Sequence, residues 1–100
     1  MDLEQLTPEQ LSRLERWLQR HPDLDGLEAL LLERLEAGEA VGKGHQDSGR
    51  LSRELDMSHA LVRRAASSLE AQGLVETASR RGAGPGLWLA LIHENAAPRP

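Results

Sequence analysis

Between Leu51 and Val75 two helical patterns stand three residues apart, and this spacing constrains the fold more than any other feature of the chain. Leu51 and Leu55 lie four apart, one helical turn, with Arg50, Arg53 and Glu54 pointing outward. Asp56-Met57-Ser58 predicts a tight turn. Ser58 is a capping residue, and Met57 with Val62 has the spacing of a hydrophobic staple. Val62, Ala66 and Leu69 then recur on one face as far as Gln72-Gly73, where glycine suits a left-handed helix end. Residues 74–77, Leu-Val-Glu-Thr, read as a strand, 79–86 as a turn and 87–92 as a second strand, which together predict a hairpin.

Two further helices precede this unit. Thr7-Pro8-Glu9-Gln10 is a helix start: Thr7 caps, Pro8 suits the first position, and Gln10 sits where a capping box needs its return partner. Leu11, Leu14, Trp17 and Leu18 follow as one apolar stripe, and His21-Pro22 stops the helix because the residue before proline is pushed out of helical geometry. Asp25 caps the second helix with Glu28 three residues on; Leu27, Leu30, Leu31 and Leu35 face the core, Leu32 flanks them, and Gly38 ends it. Residues 42–49, polar and glycine-rich, read as a loop. The expected organisation is an N-terminal helical extension over residues 1–22, a folded unit over 23–93 and a disordered tail over 94–100.

Composition narrows the chemistry. One hundred residues suffice for a single domain, and 39% hydrophobic residues suffice for its core. The lack of cysteine excludes disulfides, iron–sulfur clusters, zinc–thiolate sites and thiol catalysis within the chain. The four histidines show no ligand spacing, so no metal or other cofactor is expected. Met1-Asp2-Leu3-Glu4 lacks the apolar run of a signal peptide, and the longest apolar run, 87–92, is too short for a bilayer; the expectation is a cytoplasmic protein with no membrane partner. Lys43 stands between glycines without the Ser or Thr of a phosphate-binding loop, Ser67-Ser68 lack a nearby base, and the carboxylates of the first two helices read as solvated faces. No enzyme is expected.

The net charge of −4 is the average of two unlike parts. Residues 1–40 hold ten acids against four arginines, a local −6, whereas residues 41–100 hold eight bases against six acids, a local +2. The basic excess falls on the two closely spaced helices and the hairpin. With Trp17 and Trp88 as the only aromatic residues, and both expected in the core, stacking of bases on aromatic platforms is nearly ruled out.

The run from Leu51 through Ser58, Val62 and Leu69 to Gly73-Leu74-Val75 resembles the winged helix-turn-helix regulators of bacteria, in the register of MarR-type and ArsR-type proteins. The resemblance is specific over residues 51–76 and looser over the hairpin. The turn position often held by glycine is Asp56, a residue that tolerates left-handed geometry, and the cysteine clusters of ArsR-type metal sensors are missing. It implies a mainly helical α+β fold with a small β-hairpin wing and an added N-terminal helix. It also implies a sequence-specific double-stranded DNA-binding transcriptional regulator, with a recognition helix at 58–72 in the major groove and a wing at 77–87. The residues so implicated are Arg53, Ser58, His59, Ala60, Arg63, Arg64 and Ser67 on the helices and Arg80 and Arg81 at the wing tip. Regulators of this kind bind as two-fold dimers, and the stripe of Leu11, Leu14, Trp17 and Leu18 suits either a homodimer contact or a cover for the core.

A second reading comes from another class: a winged-helix module or adaptor subunit that binds protein and not DNA. Fold does not fix function, and the acidic total with a single lysine, Lys43, suits it. An RNA-binding module ranks below both, for want of stacking residues.

Overall fold

A computed structural model describes residues 6–79 and 86–93. Four helices, α1 (Pro8–Arg20), α2 (Gly26–Ala40), α3 (Ser48–Leu55) and α4 (His59–Ala71), are joined by three strands, β1 (Gln46–Asp47), β2 (Val75–Ser79) and β3 (Leu87–Leu91). The strands form an antiparallel sheet in the order β1-β3-β2, giving a mainly helical α+β architecture.

The helix starts follow the capping chemistry. Thr7 and Gln10 complete one capping box, Asp25 and Glu28 another, and the Ser58 hydroxyl accepts the amide of Leu61. The α3–α4 turn closes through Asp56, whose φ of 54° and ψ of 46° are left-handed, the conformation that the turn requires and aspartate tolerates. Gly73, at φ 78°, ends the connection from α4 into β2.

α2 is the central element. It packs against α1, α4 and β3, so Leu30, Leu31, Leu32 and Leu35 are all buried although they surround more than one face. Leu32, which the sequence placed on the flank, is therefore core. Around α2 the core is completed by Leu14, Leu24, Leu51, Leu55, Val62, Ala66, Leu69, Val75 and Leu89. Burying a leucine side chain stabilises the fold by roughly 1.5–3 kcal/mol, so this cluster is the main favourable term.

Four expectations need correction. Gly38 does not end α2, which continues to Ala40; the glycine is buried inside the helix because Gln46 and the carbonyl of Lys43 pass directly over it. Residues 42–49 are not wholly loop. Gln46 and Asp47 pair with Leu89 and Trp88, and Ser48 already begins α3 under the Asp47 cap. Nor are the carboxylates of α2 all solvated. Glu33 is fully buried and bonded by Arg13 and Arg34, and Glu28 is buried at its cap, because neighbours on three sides leave α2 no open face. Finally, Trp88 is 40% exposed, since the alternation of β3 turns it away from the face of Leu87, Leu89 and Leu91. Trp17, by contrast, packs on the core, stacks on His21 and donates its indole N–H to Glu36.

No helix among the described residues is long and apolar enough to cross a membrane.

Candidate nucleic-acid interface

The exposed side of α4 follows from what its other side buries. Val62, Ala65, Ala66 and Leu69 face the core. At helical spacing the opposite centreline carries Ala60, Ser67 and Ala71, with Arg63 on one flank and Arg64 on the other; all five are exposed. Small residues along the middle leave room for a surface to approach the helix axis, while the arginines reach forward from both sides.

The flanks face different neighbours. Glu70, which shares the Arg63 flank two turns on, accepts the hydroxyl of Thr77 in β2 at 3.0 Å. His59, on the same flank, contacts Ser48 beside β3. Arg63 therefore lies toward the hairpin. Arg64 lies on the side of the α2 N-terminus, where it lines a shallow pocket with Asp25, Leu27, Glu28 and Leu61.

Across the turn, α3 exposes Arg50, Arg53 and Glu54. Arg50 donates to Glu54 at 3.0 Å, which neutralises that acid locally. Arg53, Arg63 and Arg64 enter no ion pair among the described residues. Three guanidinium groups thus stay available on two adjoining helices. Surface arginines without an acidic partner keep their full donor set for an incoming acceptor.

Two residues of the expected set stand differently. Ser58 spends its hydroxyl on the Leu61 amide, at 3.2 Å, so its part in the surface is to open α4. His59 is not a fully outward side chain. It is half-buried, its Nε2 2.7 Å from the Ser48 Oγ, because Ser48 at the start of α3 lies directly beneath the start of α4. Ser48 Oγ also accepts the amide of Leu87 at 3.0 Å. This serine and histidine do not form an exposed nucleophile and base, since Ser48 has no accessible surface. Arg80 and Arg81 lie outside the described residues.

Sequence reasoning missed Ser48 and Leu61. Asp47 followed by Ser-Gly-Arg-Leu carries the signature of a helix start, which would have lifted Ser48 out of the loop. Leu61, exposed beside Arg64, sits three residues past the Ser58 cap, where its amide, not its side chain, is the group engaged. Of the N-terminal stripe, Leu14 is buried and Trp17 and Leu18 pack on the core, which leaves Leu11 as the exposed member. Among the described residues no three His, Cys, Asp or Glu side chains are grouped to hold a metal ion.

Compared with protein-family models, characterised proteins and solved structures, the chain matches none.

Proposed function

We propose that the chain is a sequence-specific double-stranded DNA-binding regulator of the winged helix-turn-helix type. In this reading α4 enters the major groove and the β2–β3 hairpin is the wing. The observation that carries it is the outer face of α4: exposed Arg63 and Arg64 flank Ala60 and Ser67, and neither arginine enters an ion pair among the described residues. Arginine forks onto the O6 and N7 acceptors of guanine, and a centreline of small side chains lets the helix sit deep enough for that contact. Arg53, on the adjoining helix, suits a phosphate, which fixes register without reading sequence.

The fold reading is supported by element order. Helix, strand, helix, helix and hairpin follow one another from α2 to β3; β1 closes the sheet against β3, and α3 and α4 meet across a left-handed Asp56. Arg80 and Arg81 join the reading from the sequence alone, as contacts from the wing tip.

Selection from a pool of randomised duplexes tests specificity. The wild-type chain enriches a defined site, and the chain carrying both Arg63→Ala and Arg64→Ala does not. Failure of the wild type to enrich any site removes the claim of sequence specificity.

A second reading, a protein-binding module, draws on exposed Leu61 and Trp88, two large apolar side chains near the same elements. It predicts a surface indifferent to duplex and sensitive to Leu61→Ala.

A further inference from the structure

We infer that His59 presents one orientation-fixed hydrogen-bond donor, its Nδ1–H, to an acceptor atom of the duplex, and that Ser48 is the positioning residue that fixes it. This rests on the DNA-binding reading of α4. A serine hydroxyl has one proton to give and two lone pairs to fill. The Leu87 amide donates to one lone pair, at 3.0 Å, and Nε2 of His59 lies 2.7 Å away. Were Nε2 to donate as well, the hydroxyl proton would have no acceptor among the described residues, inside a side chain with no accessible surface. Buried hydroxyl protons are placed on acceptors. The hydroxyl therefore donates to Nε2, and the neutral ring carries its proton on Nδ1.

The other edge of the ring is not enclosed. Nδ1 has no partner among the described residues, yet no buried side-chain nitrogen or oxygen among them goes unsatisfied, so Nδ1 reaches solvent. His59 is the first residue of α4, next to Ala60 and on the Arg63 flank. Held there, the ring can only donate. Its partner is an acceptor: a phosphate oxygen, or the N7 or O6 of a guanine. A histidine swinging freely would offer either tautomer and choose neither; the tether to Ser48 removes that choice.

The test combines the ring proton's position with duplex affinity. Long-range 1H–15N spectra of the 15N-labelled protein at about pH 8 should show His59 with Nδ1 protonated, and Ser48→Ala should populate the Nε2–H form. His59→Gln keeps an acceptor within reach of Ser48 but has no group where Nδ1 stood. It should melt as the wild type does and bind duplex about tenfold more weakly, the loss of one good hydrogen bond. A loss that is uniform over unrelated duplexes marks a phosphate contact, and a loss confined to the selected site marks a base; either supports the inference. An Nε2-protonated His59 in the wild type overturns it. So does a His59→Gln chain that binds as tightly as the wild type, and that result leaves the DNA-binding reading intact. A wild-type chain with no affinity for duplex overturns both.

Discussion

Glu33 is a buried acid held by two arginine partners. Its side chain is 1% exposed, and it accepts hydrogen bonds from Arg13 at 2.9 Å and Arg34 at 2.7 Å, arginines whose side chains are 23% and 25% exposed. A buried carboxylate costs several kcal/mol in lost hydration, which the two partners offset. The Arg34 pKa is raised, chiefly by its hydrogen bond to Glu33 and against the lowering effect of its own burial. A raised folded-state value means that this contribution is fully present below the ordinary arginine value and is lost only as pH rises beyond it. The Arg34 contribution is therefore constant through the neutral range. Glu33→Ala should lower stability by about 2–3 kcal/mol in urea unfolding, less than a fully enclosed pair because both arginines can rehydrate. A loss under about 0.5 kcal/mol would show that the pair contributes little beyond its own desolvation.

Among the elements, the join between α2 and β1 is the most sensitive to a single methyl group. Gln46 reaches over Gly38 to donate to the Arg34 carbonyl at 3.0 Å, and the Lys43 amide donates to the Gly38 carbonyl at 2.8 Å. A Cβ at position 38 would lie 2.6 Å from the Lys43 oxygen, with Gln46 closer still. Gly38→Ala should therefore destabilise by about 1–3 kcal/mol although alanine favours helices, and it should loosen β1 from β3. Amide exchange at Gln46 and Asp47 measures the second effect; an alanine variant as stable as the wild type, with unchanged exchange, would contradict the close approach.

This same join shows where the sequence stops being legible. The starts of α1, α2 and α4 were readable because each carries its own capping residues, and Asp56 and Gly73 declare the turns that they make. A two-residue strand has no periodicity to detect, so β1 was hidden inside a polar stretch. Gly38 resembles any helix-ending glycine until the chain that crosses it is known. Glu33 looks like a solvated acid because its partner Arg13 lies twenty residues away. In the candidate interface Arg53, Arg63, Arg64 and Ser67 follow from helical spacing. The tether of His59 depends on which helix start lies beneath it, a tertiary fact that no local pattern encodes.

The chain carries most of its acids in its first forty residues, ten against four arginines, while α3 and α4 expose Arg53, Arg63 and Arg64 alongside Glu54 and Glu70. α1 covers α2 and spends most of its apolar stripe inward, so Leu14→Ala should cost about 2–4 kcal/mol and Leu11→Ala less than about 1 kcal/mol in urea unfolding. Sedimentation of the Leu11→Ala chain should match the wild type; a shift to a smaller species would instead assign this helix to a homodimer contact. Of the acids in α1 and α2, Glu33 and Glu36 are paired with arginines of those same helices, whereas Asp25 and Glu28 at the α2 start line a pocket with Arg64 of α4.

The proposal beneath the others is that Arg53, Arg63 and Arg64 meet phosphate and base edges of a duplex. It is tested most directly by titrating a fluorescently labelled duplex with the wild-type and Arg63→Ala chains, by anisotropy, between about 50 and 200 mM salt. Wild-type binding should weaken linearly on a logarithmic salt scale. Arg63→Ala should lose about tenfold or more in affinity at every salt concentration. No binding by the wild type at about 50 mM salt, where phosphate contacts are strongest, would contradict the proposal.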